Sequence, residues 1–378
     1  MSEISNQLVS VVIPVYNGER YIGRTLQSVA EQSHRNLEIL IVDDGSTDGT
    51  GDILNTFVQQ ESRARILRQS NKGVAAARNL GIRSASGDFI APLDADDLWH
   101  PERVSRQLRR LIGSPSDVGL VYSPWITIDE SGRRLSSCLD RGRFEGIVWL
   151  QLVMGNFLGN ASTALIKKDC LQAVGLYDEE YFLQKAQGCE DWDLYLRIAG
   201  VCRFHCQPDC LIGYRQVHGS MSIDVEQMMR SYVRVMSKVR VSGVPVPPSV
   251  SRWSRANYLF YMANRAAAAR RRGLTIILLL RLLSTDIVRV LDRQLWRLLS
   301  RVLVARNPTR RGKGGDAQST TDVWGNLPRA STRRTLPSGA LWNRVRQHRE
   351  DRVFDIQQTM KWPIRSDSDR GQDPAALS

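Results

Sequence analysis

The sequence predicts an α/β fold, a mostly parallel sheet flanked by helices, followed by a helical C-terminal extension. Three observations predict it. Short β-branched runs alternate with stretches of helical apolar spacing from Val9 to Leu93, the order that builds a parallel sheet covered on both faces. Each run stops on a polar or acidic cluster, which is where ligands gather in such sheets. Beyond the proline-bearing stretch 242–249 the pattern turns helical and basic.

Residues 9–14 are a β-branched strand, and 19–32 carry Ile22, Leu26 and Val29 at helical spacing. A second strand, 37–42, is stopped by Asp43-Asp44-Gly45-Ser46. A helix over 49–60, a third strand over 65–67, a helix over 74–84 and a fourth strand over 88–93 follow. The chain continues with a helix to Leu111, strand-like pieces at 118–122 and 125–129, a mixed stretch with a strand at 162–166, and a helix over 191–199. Pro245, Pro247 and Pro248 mark a linker. Residues 253–306 read as helical, and 307–378, rich in Arg, Gly, Ser, Asp and Pro, as largely disordered with a helix near 341–359.

Charge divides the chain of 378 residues. Residues 1–220 hold 23 Lys and Arg against 27 Asp and Glu, a net −4, whereas 221–378 hold 29 against 12, a net +17. A basic half suits a polyanion, an anionic membrane surface before nucleic acid. The polar N-terminus has no apolar signal stretch, and the longest apolar-rich run, 274–280, is too short to span a bilayer. Six cysteines stand in no paired framework, so a reducing cytoplasmic compartment is expected, with the inner face of a membrane as a place of contact. Cys202, Cys206 and Cys210 read as buried thiols rather than as a metal site.

Four polar clusters carry candidate chemistry. Asp94, Asp96 and Asp97 follow an apolar strand. Crowded carboxylates repel unless a cation or donor sits among them, and a hard divalent ion such as Mg²⁺ or Mn²⁺ fits oxygen ligands and a diphosphate. The alternative is a solvated turn. Asp43-Asp44 after the second strand offers an acceptor for a base N–H, or a plain turn. Asn71-Lys72-Gly73 leads into an Ala-rich helix bearing Arg78, where small residues admit a ligand and a helix start favours anions. Glu190-Asp191-Trp192-Asp193 either caps a helix or supplies a carboxylate base.

In order, Val9 to Asn17, Val42 to Asp48, Asn71-Lys72-Gly73 with Ala77-Arg78-Asn79, Leu93 to Asp97, Cys189 to Leu194, and Tyr214-Arg215 with His218 resemble the motifs of family-2 glycosyltransferases of the GT-A, Rossmann-like fold. The resemblance covers about residues 8–224. It implies a GT-A catalytic domain at 1–224, and charge and pattern add a basic helical extension at 225–306 that could lie at a membrane interface and a basic, largely disordered tail at 307–378. It further implies a divalent metal, Mn²⁺ or Mg²⁺, and a nucleotide-sugar donor. Pro14, Tyr16 and Asp44 would line the nucleoside site, with Arg78 beside it. Asp94 would reach the ribose or the metal, Asp96 and His218 would be metal ligands, and Asp191 the base. The implied reaction is an inverting transfer to a glycan or lipid-linked acceptor. A non-catalytic nucleotide-sugar-binding module is the alternative.

The extension shows its own pattern. Arg289, Arg293, Arg297 and Arg301 recur every four residues among Leu, Val and Ile, one row along a helix. Such a row suits a helix lying in a membrane interface, or one packed on protein with its arginines in water.

Overall fold

The structure, a computed structural model, describes residues 2–136, 138, 143–217, 224–304, 323–324 and 341–360. Among the described residues, ten strands form two sheets. β1 (Val9–Val15), β2 (Leu37–Asp43), β3 (Ala64–Arg68), β4 (Phe89–Pro92), β6 (Val118–Tyr122), β8 (Ala164–Lys167) and β9 (Arg203–Cys206) make a seven-stranded sheet of order β3-β2-β1-β4-β8-β6-β9. β5 (Leu98–Trp99), β10 (Ile212–Arg215) and β7 (Trp125–Ile128) make a small sheet of order β5-β10-β7. The first four strands of the large sheet run parallel, and β8 alone runs against its neighbours β4 and β6.

Alternation along β1 explains the two cores. Val9, Val11, Ile13 and Val15 face one apolar cluster, with Ile22, Leu26 and Val29 of the Ile22–Ala30 helix over them. Val12 faces the other, with Ala75 and Ile82 of the Val74–Arg83 helix. That second helix lies close because Gly81 has no side chain; a Cβ there would stand 2.4 Å from Val12. Pro14, which has no N–H, sits beyond the last β1–β4 pair, Val12 with Pro92.

The strands over 9–93 and the helix near 341–359 fall where the sequence puts them. Two differences have physical causes. The helical reading of 253–306 breaks into Pro248–Ala268, Arg272–Thr285, a 3₁₀ turn at Ile287–Leu291, and Arg293–Val304. Arg270 takes a positive φ of 58° at the first break, and Asp292 accepts a hydrogen bond from the Gln294 N–H (2.9 Å) at the last. The cysteines also depart from expectation: Cys138 and Cys210 are joined in a disulfide. Cys202 and Cys206 are buried and free, as read.

The C-terminal helices pack on the sheet-bearing part. Tyr232 of the Val225–Val241 helix stacks on Tyr258 of the Pro248–Ala268 helix, 4.2 Å between ring centres. The Leu341–Thr359 helix is pinned by Arg349, which donates to both carboxylate oxygens of buried Asp286 (2.6 and 3.1 Å). Its Gln357 accepts from the Leu150 N–H at 2.6 Å. Among the described residues, no helix is long and apolar enough to cross a membrane.

Candidate active site

The carboxyl ends of β1, β2 and β4 open on one large cleft. Pro14, Tyr16, Asp44, Arg78, Asp94, Asp96 and Asp191 all line it, so seven of the eight site residues expected from sequence come together. The eighth, His218, lies outside the described residues. The cleft volume, about 2700 Å³, exceeds the roughly 300–1,000 Å³ that one small ligand needs. The cleft has room for more than one small molecule.

The β1 and β2 ends are laced together. Asn17 takes a positive φ of 49°, accepts from the Thr47 N–H (2.8 Å) and donates its own N–H to Ser46 Oγ (3.0 Å). Asp43 accepts from the Ser46 N–H at 2.9 Å. Asp44, 3% exposed, accepts from Gln69 Nε2 (2.7 Å) and from the N–H groups of Lys72 and Gly73 (both 2.9 Å). Its first job is therefore to fold the 69–73 loop. Gly73 has φ +86°, and a Cβ there would stand 2.5 Å from the Phe182 ring, so only glycine passes between Asp44 and Phe182. Tyr16 is exposed on the cleft rim.

The three acids after β4 part company. Asp97 turns inward and is fully buried. It accepts from Asn160 Nδ2 and Ser162 Oγ (both 2.6 Å) and from the Arg215 N–H (2.9 Å), and burial with the nearby Asp96 and Asp94 charges pushes its carboxyl well above the ordinary value. Asp94 donates its N–H to Ser162 Oγ at 3.0 Å and pairs with Arg78. Asp96 faces the cleft; burial, then the Asp94 charge, raises its pKa. Among the described residues, no three His, Cys, Asp or Glu side chains form a ready metal cage.

Arg78 ties the acids together. It is buried, and its guanidinium stands 5.1 Å from the Tyr177 ring centre. Burial works against its charge, but the carboxylates of Asp94 and Asp191 outweigh that and raise its pKa. Asp191 begins the Glu190–Ala199 helix and sits in the cleft wall. It accepts from the Trp192 N–H (2.7 Å) and Asn156 Nδ2 (3.5 Å). Burial, reinforced by Glu190 and opposed by Arg78, raises its carboxyl to about 7. Its helix neighbour Asp193 is structural, held by Arg197 (3.0 Å) and Lys238 (2.9 Å).

Sequence reasoning missed Asn160 and Ser162, which orient Asp97 from about 60 residues away; no local pattern marks them. It also missed that Arg215 braces the acidic turn, donating from Nε to the Asp96 carbonyl at 2.6 Å. The arginine row was visible as a spacing, but not its direction. Arg289 is buried and donates to Asp292 (3.2 Å), while Arg293, Arg297 and Arg301 line the far part of the cleft.

Residues 10–182 match the model of a family described as glycosyl transferase family 2. An uncharacterized glycosyltransferase of Rickettsia felis is 34% identical over 191 residues, 50% of this chain and 30% of that protein. The chain spans about a third of the length of the curated relatives of that kind. A putative teichuronic acid biosynthesis glycosyltransferase of Bacillus subtilis, TuaG, is 44% identical over 102 residues, 27% of this chain and 40% of that one. The mannosyltransferase PcManGT of Pyrobaculum calidifontis, solved with GDP-Man and Mn²⁺, shares the fold with a TM-score of 0.52 at 19% identity, covering 78% of this chain and 86% of that one. The α/β architecture is thus of the GT-A type, and residues 10–182 carry the sequence pattern of glycosyl transferase family 2.

Proposed function

We propose that the chain is an inverting glycosyltransferase that moves a sugar from a nucleoside-diphosphate sugar onto an acceptor hydroxyl, in the synthesis of a cell-envelope polysaccharide or glycolipid. One observation carries this reading: Pro14, Tyr16, Asp44, Arg78, Asp94 and Asp96 meet Asp191 in a single cleft at the strand ends. Pro14, Tyr16 and Asp44 take the nucleoside, and Arg78 lies beside it.

The acids suit a divalent cation. Arg78 neutralises Asp94, but at Asp96 burial and the Asp94 charge outweigh the nearby Arg215 and raise the carboxyl, the situation a hard cation relieves. Asp96 and Asp94, with His218, would hold Mn²⁺ or Mg²⁺, which when bound supplies charge neutralisation for the departing diphosphate. Asp191 accepts the proton of the attacking acceptor hydroxyl, and a carboxyl near 7 is matched to neutral operation. The bond from the acceptor oxygen to the anomeric carbon forms as the bond to the diphosphate oxygen breaks on the opposite face, which inverts that carbon. The similarity to TuaG supports a polysaccharide product, and the fold shared with a Mn²⁺-bound mannosyltransferase supports the metal.

Exposed Ile276, Ile277, Leu280 and Ile287, beside the basic composition of the C-terminal half, support peripheral contact with an anionic membrane face. A thermal-shift screen of nucleotide sugars with Mn²⁺ tests the donor assignment, because a ligand of the folded state raises its melting temperature by mass action. One donor shifting the wild type and not Asp96→Ala is the expected result. No shift with any donor would remove the reading.

A further inference from the structure

The cleft does not end at Asp191. It runs on past Asn257, Tyr261 and Arg265 to the Arg293–Val304 helix, where Arg293, Arg297 and Arg301 line it. All three are exposed, and no carboxylate lies within 4.0 Å of them among the described residues. The acids that share this end are already engaged. Asp292 takes Arg289 at 3.2 Å, Glu350 takes Arg346 at 2.8 Å, and Asp351 accepts from Gln347 at 2.8 Å. Three like charges four residues apart repel along a helix, so the row costs stability that no acid among the described residues offsets. A solvated face would explain arginines pointing away from the molecule. These point into the chamber that also holds Asp96 and Asp191.

The geometry points to a phosphate-binding site: Arg293, Arg297 and Arg301 hold the phosphate groups of the acceptor, so that the acceptor is an anionic, phosphate-bearing molecule. A row of guanidinium forks suits phosphate oxygens, which accept paired N–H donors. The inference rests on the glycosyltransferase reading for the word acceptor, but the binding site is testable without turnover.

The test is direct calorimetric binding to the full chain at low salt, with two probes. Inorganic pyrophosphate presents the phosphates alone, and farnesyl diphosphate presents the same head group on an apolar chain. Both bind the wild type. The triple variant Arg293→Gln/Arg297→Gln/Arg301→Gln loses roughly a hundredfold in affinity for each, about the effect of removing three charges at an anionic surface. The triple lysine variant recovers most of it, because point charges remain. Tighter binding of farnesyl diphosphate identifies a lipid head group as the source, and equal binding identifies free or polymer-borne phosphate. Equal affinity of the wild type and the glutamine variant, or no binding by the wild type, would overturn the site. Melting temperatures show whether the variant is folded. Because no donor enters the assay, failure here leaves the donor assignment standing, and failure to consume a donor leaves this result standing.

Discussion

The two ends of the cleft are built on opposite charge plans. At the strand ends, Asp94 and Asp191 share Arg78 while Asp96 stands beside Asp94 and Arg215, and burial with the neighbouring acids holds protons on Asp96 and Asp191 above the ordinary carboxylate range. At the helical end, Arg293, Arg297 and Arg301 stand exposed with no carboxylate in reach among the described residues. A compact group of acids in a partly dry corner is fitted to a cation and a proton. A spaced row of arginines along the open end of the cleft is fitted to an extended anion. On the reading proposed above, the difference would separate the groups that make the reaction from those that bring a substrate to it.

The largest effects belong to the acidic end. Asp96→Ala should lower turnover by about a thousandfold or more, since several kcal/mol of leaving-group stabilisation goes with the metal, and steady-state rates with Mn²⁺ check this. A wild-type rate would separate Asp96 from the metal. Asp191→Asn should cost transfer about 10²- to 10⁴-fold while calorimetry finds the donor bound as before. Persisting transfer would assign the base elsewhere. In the wild type the carboxylate form is required, so the rate should climb with pH to a plateau above about 7, and Asp191→Asn should flatten that limb.

Architecture comes next. Arg349→Leu leaves Asp286 buried beside an empty place, and removing one partner of such a pair costs about 3–5 kcal/mol; urea unfolding measures it. Gly73→Ala meets both a positive φ and the Phe182 ring, at about 1–3 kcal/mol. It should weaken donor affinity as well, because the Asp44 loop is displaced.

A further effect concerns stability as a function of pH and has a definite sign. The Asp191 carboxyl is raised in the folded protein from an ordinary 3.8 to about 7. The folded state therefore binds a proton that the unfolded chain releases, and stability falls as pH rises between those values. Asp191→Asn removes that penalty, so its melting temperature should exceed the wild type's above pH 7, with the advantage shrinking as pH falls toward 4. A difference independent of pH would count against a raised carboxyl.

The parallel strands and the acids at their ends were legible in the sequence because each is a local pattern: β-branched runs stopped by Asp43-Asp44 and by Asp94-Ala95-Asp96. The division of labour within a cluster was not. Asp96 and Asp97 are neighbours, yet Asp97 is absorbed by Asn160 and Ser162, partners that only folding brings near. Asp44 looked like a free acceptor and is bound to three donors of the 69–73 loop. The arginine spacing was equally plain, but Asp286 and Asp292 interrupt the helix and turn Arg289 inward. Which residues face the cleft then depends on the breaks, not on the period of four.

The central claim is that the acidic end handles a nucleotide sugar with a metal. The most direct measurement is release of nucleoside diphosphate from a panel of UDP-, GDP- and dTDP-sugars by the full chain, with Mn²⁺ and after chelation with EDTA. The account predicts release from at least one donor with Mn²⁺, its loss with EDTA, and its loss in Asp96→Ala. A panel left unconsumed in Mn²⁺, or a donor consumed equally well in EDTA, would contradict it.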